Sequence, residues 1–211
     1  MTSATMGEAM GMIRRFGKIV FDSPSSQTQI SIDNGLVTQQ DLRLNELEPY
    51  SATFQESVLS GWTAVRFNFR GVGKSQGVHG AGFTESEDLL AVIGWLRQRW
   101  PGRPLWLAGF SFGSWVALRG AAAQAAAGDP AVHLLLVAPP VHHNDFETIE
   151  HTGCPVTVLV GEQDEVVPVA EMLAWAKDSV LNPDLVRFPV SGHFFHGQLV
   201  ELVEVARQTF P

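Results

Sequence analysis

Short apolar runs alternate with helix-like stretches from the middle of the chain to its end. The runs at 105–108, 132–137 and 155–160 are almost continuously aliphatic or aromatic, which is typical of strands that a sheet buries on both faces. The stretches between and after these runs have the apolar spacing or the alanine content of helices. This alternation predicts an α/β fold, with a mostly parallel, doubly wound sheet covered by helices on both faces.

The first sixty residues show a different pattern, in which short strand-like pieces are separated by polar turns. Residues 1–16 predict a poorly ordered terminus. Strands are predicted at 18–21 and 28–32. A turn at 33–35 then joins the second strand to a hairpin partner at 36–44, and a short helix is predicted at 51–60. The strand at 62–69 opens the alternating region, and the capping box at Thr84–Glu87 predicts the start of its first long helix.

The pentapeptide Gly109–Gly113 has the form G-x-S-x-G, with Ser111 at its centre. An apolar strand precedes it and an alanine-rich helix follows it, which is the context of a nucleophile elbow. Glycines leave room for a sharp turn that lifts the hydroxyl of Ser111 clear of the sheet. The backbone N–H of Phe112, at the start of the helix, is then positioned to stabilise an oxyanion.

Two further polar residues also follow predicted strands: Asp164 comes after the run at 155–160, and His193 comes after a final short strand at 185–188. In parallel sheets the carboxyl ends of the strands meet at one edge, so we expect both to lie near Ser111. A serine nucleophile needs a histidine base and an acid that orients it, and the chain order Ser, Asp, His fits an elbow enzyme. Glu162, Glu165 and His196 are rivals; we favour Asp164 as the acid and His193 as the base.

Composition restricts the class of protein but does not indicate which reaction it catalyses. With 211 residues, of which 45% are hydrophobic, the chain suits one domain over 1–211 with a sizeable core. A net charge of −8 without a basic run argues against a nucleic-acid or anionic-membrane partner. A single cysteine, no signal peptide and no apolar run of about 20 residues predict a soluble, cytoplasmic protein.

Other candidate sites are weaker. The glycine-rich loop at 70–77 lacks the spacing of a phosphate-binding loop, so we interpret it as a tight connection at the active edge, with a nucleotide site as a minor alternative. The remaining histidines and Cys154 do not complete a metal-ligand pattern. We therefore expect no metal and no cofactor, and a small-molecule ester as the substrate.

Four segments together resemble the α/β-hydrolase superfamily, and more narrowly the small, lidless bacterial serine hydrolases related to dienelactone hydrolases. The matching segments are 66–77, 107–113, 161–164 and 192–197. The resemblance implies esterase or thioesterase-like chemistry on small acyl substrates, with Ser111, Asp164 and His193 as the triad. The connection at 138–153 is too short for a helical lid.

One segment of the resembled subfamily is missing. Members of that subfamily carry an internal strand and a loop rich in His-Pro and Gly-Gly before the strand that corresponds to residues 62–69 of this chain. That loop supplies the second oxyanion N–H. Either residues 18–32 replace that strand, or the protein is compromised. Losing one oxyanion donor costs about 3–4 kcal/mol of transition-state stabilisation. A catalytically impaired binding or scaffold protein is therefore the alternative function.

Overall fold

One mixed β-sheet, with helices packed on both of its faces, carries the fold. The computed structural model describes residues 17–22, 28–33, 36–41, 62–71 and 77–209. The strands are β1 Gly17–Asp22, β2 Thr28–Asp33, β3 Leu36–Asp41, β4 Trp62–Phe67, β5 Leu105–Phe110, β6 His133–Val137, β7 Val156–Gly161 and β8 Asp184–Phe188. The helices are α1 Phe83–Arg99, α2 Phe112–Ala126, α3 Val169–Asp178 and α4 Leu199–Gln208.

The carboxyl-terminal half of the sheet is the parallel part. Within the described residues the strand order is β3-β2-β4-β1-β5-β6-β7-β8, and β5 to β8 run parallel to one another. Parallel strands place their carboxyl ends at one edge, and the residues that follow β5, β7 and β8 therefore meet there. The predicted α/β class is confirmed.

Alternate residues of the central strands pack into two separate cores. In β5, Leu105 and Leu107 face a core that also contains Leu89 of α1, Trp115 of α2 and Met172 of α3. Trp106 and Ala108 face the other core, together with Leu202 and Ala206 of α4. Because both faces are covered, these strands read in the sequence as continuous apolar runs rather than as alternating ones.

The strand that the sequence lacks is replaced by β1. This strand lies between β4 and β5 and runs antiparallel to both, so that Gly17 pairs with Phe67 on one side and with Gly109 on the other. Backbone N–H and C=O groups of buried central strands require partners, and β1 supplies them to both neighbours. The fold therefore keeps a continuous sheet. The predicted hairpin is also confirmed, with β2 paired to β3 from Asp33 and Leu36.

The first long helix begins differently from the prediction. Helix α1 starts at Phe83, directly after Gly82, whose φ of 95° is a left-handed conformation that glycine adopts easily. Glu85 accepts the backbone N–H groups of Gly80 and Gly82, both at 2.8 Å. The predicted capping role of Thr84 is wrong: its hydroxyl is buried and has no hydrogen-bond partner among the described residues.

The prediction that the connection at 138–153 holds no helical lid is confirmed. The connection between β6 and β7 contains one short 3-10 helix, Phe146–Thr148, and no longer helix. In the part of the chain that the structure describes, no helix is both long and apolar enough to cross a membrane. The predictions for residues 1–16 and for the helix at 51–60 fall outside the described residues.

Candidate active site

Ser111 lies at the sharp turn between β5 and α2, with φ 50° and ψ −123°. A non-glycine residue at positive φ is uncommon and strained, as expected for a nucleophile elbow. The turn is so tight that a Cβ atom on Gly109 would lie 2.1 Å from the carbonyl oxygen of Gly113. The N–H of Ser111 donates to the carbonyl of Val137, at the end of β6, over 2.8 Å, and this bond fixes the turn to the neighbouring strand.

The structure brings His193 and Asp164 to this serine. His193 Nε2 lies 3.1 Å from Ser111 Oγ, and His193 Nδ1 lies 2.8 Å from Asp164 Oδ2. The side chains of His193 and Asp164 are fully buried. An ionised carboxylate only accepts hydrogen bonds, so Nδ1 carries a hydrogen and Nε2 is free to accept from the serine hydroxyl.

Asp164 is itself held in place by backbone groups of its own loop. Its Oδ1 accepts the N–H groups of Val166 at 2.8 Å and Val167 at 2.7 Å, which leaves Oδ2 for His193. The two carboxylate oxygens therefore have distinct partners. This arrangement fixes the orientation of the carboxylate, and through it the tautomer of the imidazole.

The loops that carry Asp164 and His193 pack tightly against each other. Gln163 N–H donates to the carbonyl of Ser191 over 2.9 Å. A Cβ atom on Gly161, the last residue of β7, would lie 2.6 Å from the carbonyl oxygen of Ser191. Glycine at 161 therefore allows the histidine loop to approach the acid loop closely enough for the contact between the two side chains.

The N–H of Phe112 lies at the start of α2, where the first N–H groups of a helix have no acceptor within the helix. This is the position predicted for an oxyanion donor. The prediction that a second oxyanion donor is missing stays a prediction. In the resembled subfamily the loop with this donor follows an internal strand, and β1, which takes the place of that strand here, runs antiparallel to β5. The permissive turn at Asn34 and Gly35 lies outside the described residues.

The rival residues occupy other positions. Glu162 forms an ion pair with Arg187, with 2.6 Å between Oε1 and Nε. His196 is exposed, and its ring lies 5.8 Å from that of Phe194. Glu165 does contact His193, but through the backbone: its Oε2 accepts the His193 N–H over 3.1 Å. The sequence analysis missed this contact, for which the only signal was the position of Glu165 directly after Asp164.

Aromatic rings flank the serine on both sides. The ring centroid of Phe110 lies 5.0 Å from that of His193, and the ring of Phe112 lies 5.0 Å from that of His79. His79 is held in turn by Glu85, with 2.7 Å between Nδ1 and Oε1. Phe110 and Phe112 are the chain neighbours of Ser111, and both are half-buried.

A second histidine, His142, lies near the three residues and was not given a role by the sequence. Burial lowers the pKa of His142, His143 lowers it further, and Glu171 and Asp164 oppose this effect. The ring centroids of His142 and His143 lie 3.7 Å apart, and the two ring planes are tilted by 40°. Among the described residues, no three His, Cys, Asp or Glu side chains are grouped so that they could hold a metal ion.

Comparisons with known proteins agree with this fold. A family model described as serine aminopeptidase, S33, matches residues 45–152. An α/β serine hydrolase homologue from Coxiella burnetii is 36% identical, with a TM-score of 0.68, over 76% of this chain and 75% of that chain. An α/β serine hydrolase without a lid from Xanthomonas campestris is 31% identical, with a TM-score of 0.69, over 90% of this chain and 86% of that chain.

A curated relative, an uncharacterized protein of Rickettsia prowazekii, is 36% identical over 129 residues. The match covers 59% of this chain and 52% of the relative, so the chain spans about half the length of that protein. The family model matches just over half of the chain, and the two solved structures share its fold at more than 30% identity. This chain belongs to the α/β-hydrolase superfamily, among the serine hydrolases.

Proposed function

We propose that the protein hydrolyses carboxylic esters or thioesters of small acyl groups through an acyl-enzyme. Ser111 is the nucleophile, His193 the general base and acid, and Asp164 the residue that orients and stabilises the imidazole. The observation that carries the proposal is the chain of contacts from Asp164 through His193 to Ser111, at 2.8 and 3.1 Å.

In the first half-reaction, Ser111 Oγ attacks the carbonyl carbon of the ester while its proton passes to His193 Nε2. The carbonyl electron pair moves to oxygen, and this oxyanion accepts a hydrogen bond from the Phe112 N–H. The intermediate then collapses: the carbon–oxygen or carbon–sulfur bond to the leaving group breaks, and the imidazolium protonates that group. The acyl chain remains bonded to Ser111.

In the second half-reaction, water takes the place of the leaving group. His193 accepts a proton from the attacking water, a second tetrahedral intermediate forms, and the bond between the acyl carbon and Ser111 Oγ breaks as the serine regains its proton. The products are a carboxylic acid and free enzyme. With one oxyanion donor identified, we expect this deacylation to be slow.

The alternative of a non-catalytic binding or scaffold protein is not favoured. The related solved structures are described as serine hydrolases, and a binding protein has no need of a strained serine whose hydroxyl faces a buried His–Asp pair. Strain of this kind costs about 1–3 kcal/mol and persists at functional sites.

The proposal is tested by labelling and turnover measured together. A fluorophosphonate probe is expected to modify the wild-type protein on Ser111, and p-nitrophenyl acetate is expected to be hydrolysed. The Ser111→Ala variant is expected to lose both properties. Labelling without any turnover of esters or thioesters would refute hydrolysis as the function, and an unlabelled wild type would refute Ser111 as the nucleophile.

A further inference from the structure

Two consecutive carboxylates hold the same histidine at different points. Asp164 contacts the side chain of His193 through Nδ1 at 2.8 Å, and Glu165 accepts the backbone N–H of His193 over 3.1 Å. Asp164 and Glu165 lie in the loop after β7, whereas His193 lies in the loop after β8. The loop that carries Asp164 and Glu165 therefore contacts both the imidazole and the main chain of His193.

The residue before the histidine leaves room for this contact. A Cβ atom on Gly192 would lie 2.6 Å from Glu165 Oε2, which is closer than a carbon atom can approach a carboxylate oxygen without displacing it. Any side chain at 192 would therefore push the Glu165 carboxylate away from the His193 N–H. The need for this space accounts for glycine at 192, whose φ lies outside the left-handed region.

The histidine lies in a loop outside the sheet ladder and needs such an anchor. Phe195 has a φ of 52°, a strained conformation for a residue with a side chain. The described bond within this turn is the one from Phe195 N–H to the Gly192 carbonyl, at 3.2 Å. Two residues before His193, the Ser191 carbonyl accepts the Gln163 N–H over 2.9 Å, and Glu165 adds a further link to the acid loop at the backbone of His193 itself. The proposed chemistry does not otherwise use Glu165.

We propose that Glu165 is a positioning residue, which fixes the backbone of His193 and thereby the distance from His193 Nε2 to Ser111 Oγ. This inference rests on the proposed function, because it assigns a role in ester hydrolysis. Proton transfer requires heavy atoms within about 2.6–3.2 Å, and the observed 3.1 Å lies at the long end of that range. A misplacement of about 1 Å costs roughly 100-fold in rate, so a small shift of the loop is enough to impair the base.

The kinetic test compares two substitutions at Glu165. Glu165→Ala removes the acceptor, and we expect kcat for p-nitrophenyl acetate to fall about tenfold or more while KM changes less than about twofold. Glu165→Gln keeps an amide oxygen that can accept the N–H, and we expect kcat within about threefold of the wild type. The control is Glu162→Ala. Glu162 lies in the same loop as Glu165 but pairs with Arg187, so this variant is expected to keep the wild-type kcat.

A second measurement reads the contact without using activity. Hydrogen exchange of the His193 backbone N–H, followed by NMR in the full chain, is expected to become about tenfold faster in Glu165→Ala and to change little in Glu165→Gln. Thermal unfolding of each variant checks that the fold is retained. Faster exchange together with a loss of kcat in the alanine variant alone supports the inference.

The other outcomes overturn either this inference or the proposed function, and they can be told apart. If the wild type hydrolyses esters and neither exchange nor kcat responds to Glu165→Ala, Glu165 does not position the histidine. Equal losses of kcat in the alanine and glutamine variants mean that the charge matters rather than the bond to the N–H, and they also overturn the inference. If exchange responds as expected but the wild type hydrolyses no ester, the proposed function fails and the contact has only a structural role.

Discussion

Replacing Asp164 by asparagine should disable the site while leaving its shape intact. The side chain has the same size, and its amide oxygen can keep the two hydrogen bonds from the N–H groups of Val166 and Val167. That orientation turns the amide NH2 group towards His193 Nδ1, which must then accept a hydrogen bond. The imidazole hydrogen moves to Nε2, and His193 can no longer accept the proton of Ser111.

The size of this effect follows from the contacts. Turning the amide over restores the correct tautomer but places NH2 against the N–H groups of Val166 and Val167, and losing both bonds costs roughly 2–3 kcal/mol, or about 30- to 150-fold. The neutral amide also stabilises the imidazolium less than the carboxylate does, and a charge-assisted hydrogen bond is worth about 1.5–3 kcal/mol, or roughly 10- to 150-fold. The two factors together predict a fall in kcat of about 10³–10⁴-fold.

Steady-state hydrolysis of p-nitrophenyl acetate measures this fall, with KM expected to change little because the Asp164 side chain is fully buried. Asp178→Asn makes the same chemical change at an exposed position in the last turn of α3 and serves as the control. Unfolding of both variants in urea checks that they are folded. A folded Asp164→Asn protein that retains more than about a tenth of the wild-type kcat would refute the tautomer argument and the role given to Asp164.

Three further predictions concern the elbow, the start of α1 and the substrate. Gly109→Ala places a Cβ 2.1 Å from the Gly113 carbonyl oxygen and should lower the free energy of unfolding by about 1–3 kcal/mol, measured in urea. Burial raises the pKa of Glu85, but bonds from the backbone, including the N–H groups of Gly80 and Gly82, lower it below its ordinary 4.5. Its stabilisation is therefore complete above pH 4.5 and is lost as the pH falls through the lower, folded pKa, so Glu85→Gln should make stability less dependent on pH in that range. Without a lid, acetate and butyrate esters should turn over faster than emulsified long-chain esters, and the reverse order contradicts the account. Because only one oxyanion donor is identified, kcat for p-nitrophenyl acetate should lie well below about 10 s⁻¹, and a faster kcat contradicts that expectation.

The parallel half of the fold was predictable because its signals are local. Strands buried on both faces need continuous apolar runs. The strands β6 and β7 lie within one residue of the predicted ranges, and β5 lies within two. The residues that follow such strands must meet at one edge, which is why Ser111, Asp164 and His193 could be expected together before any distance was known.

The features that could not be predicted depend on contacts between distant parts of the chain. Nothing within β1 indicates that it inserts between β4 and β5, or that it runs antiparallel to them. The helix start was misplaced because Thr84 to Glu87 has the spacing of a capping box, whereas Gly82 and Glu85 make the contacts. The bond from His193 to Glu165 joins residues 28 positions apart, and the sequence carries no periodic signal for it.

The central claim is that Ser111 carries the acyl group during hydrolysis, and mass spectrometry after rapid acid quenching tests it most directly. The protein is mixed with excess p-nitrophenyl acetate, quenched within one turnover and digested. We predict an acetyl group on the peptide that contains Ser111, accumulating because deacylation is slow, and no such group in Ser111→Ala. Hydrolysis that continues in Ser111→Ala, or an acetyl group carried only by another residue, would contradict the account.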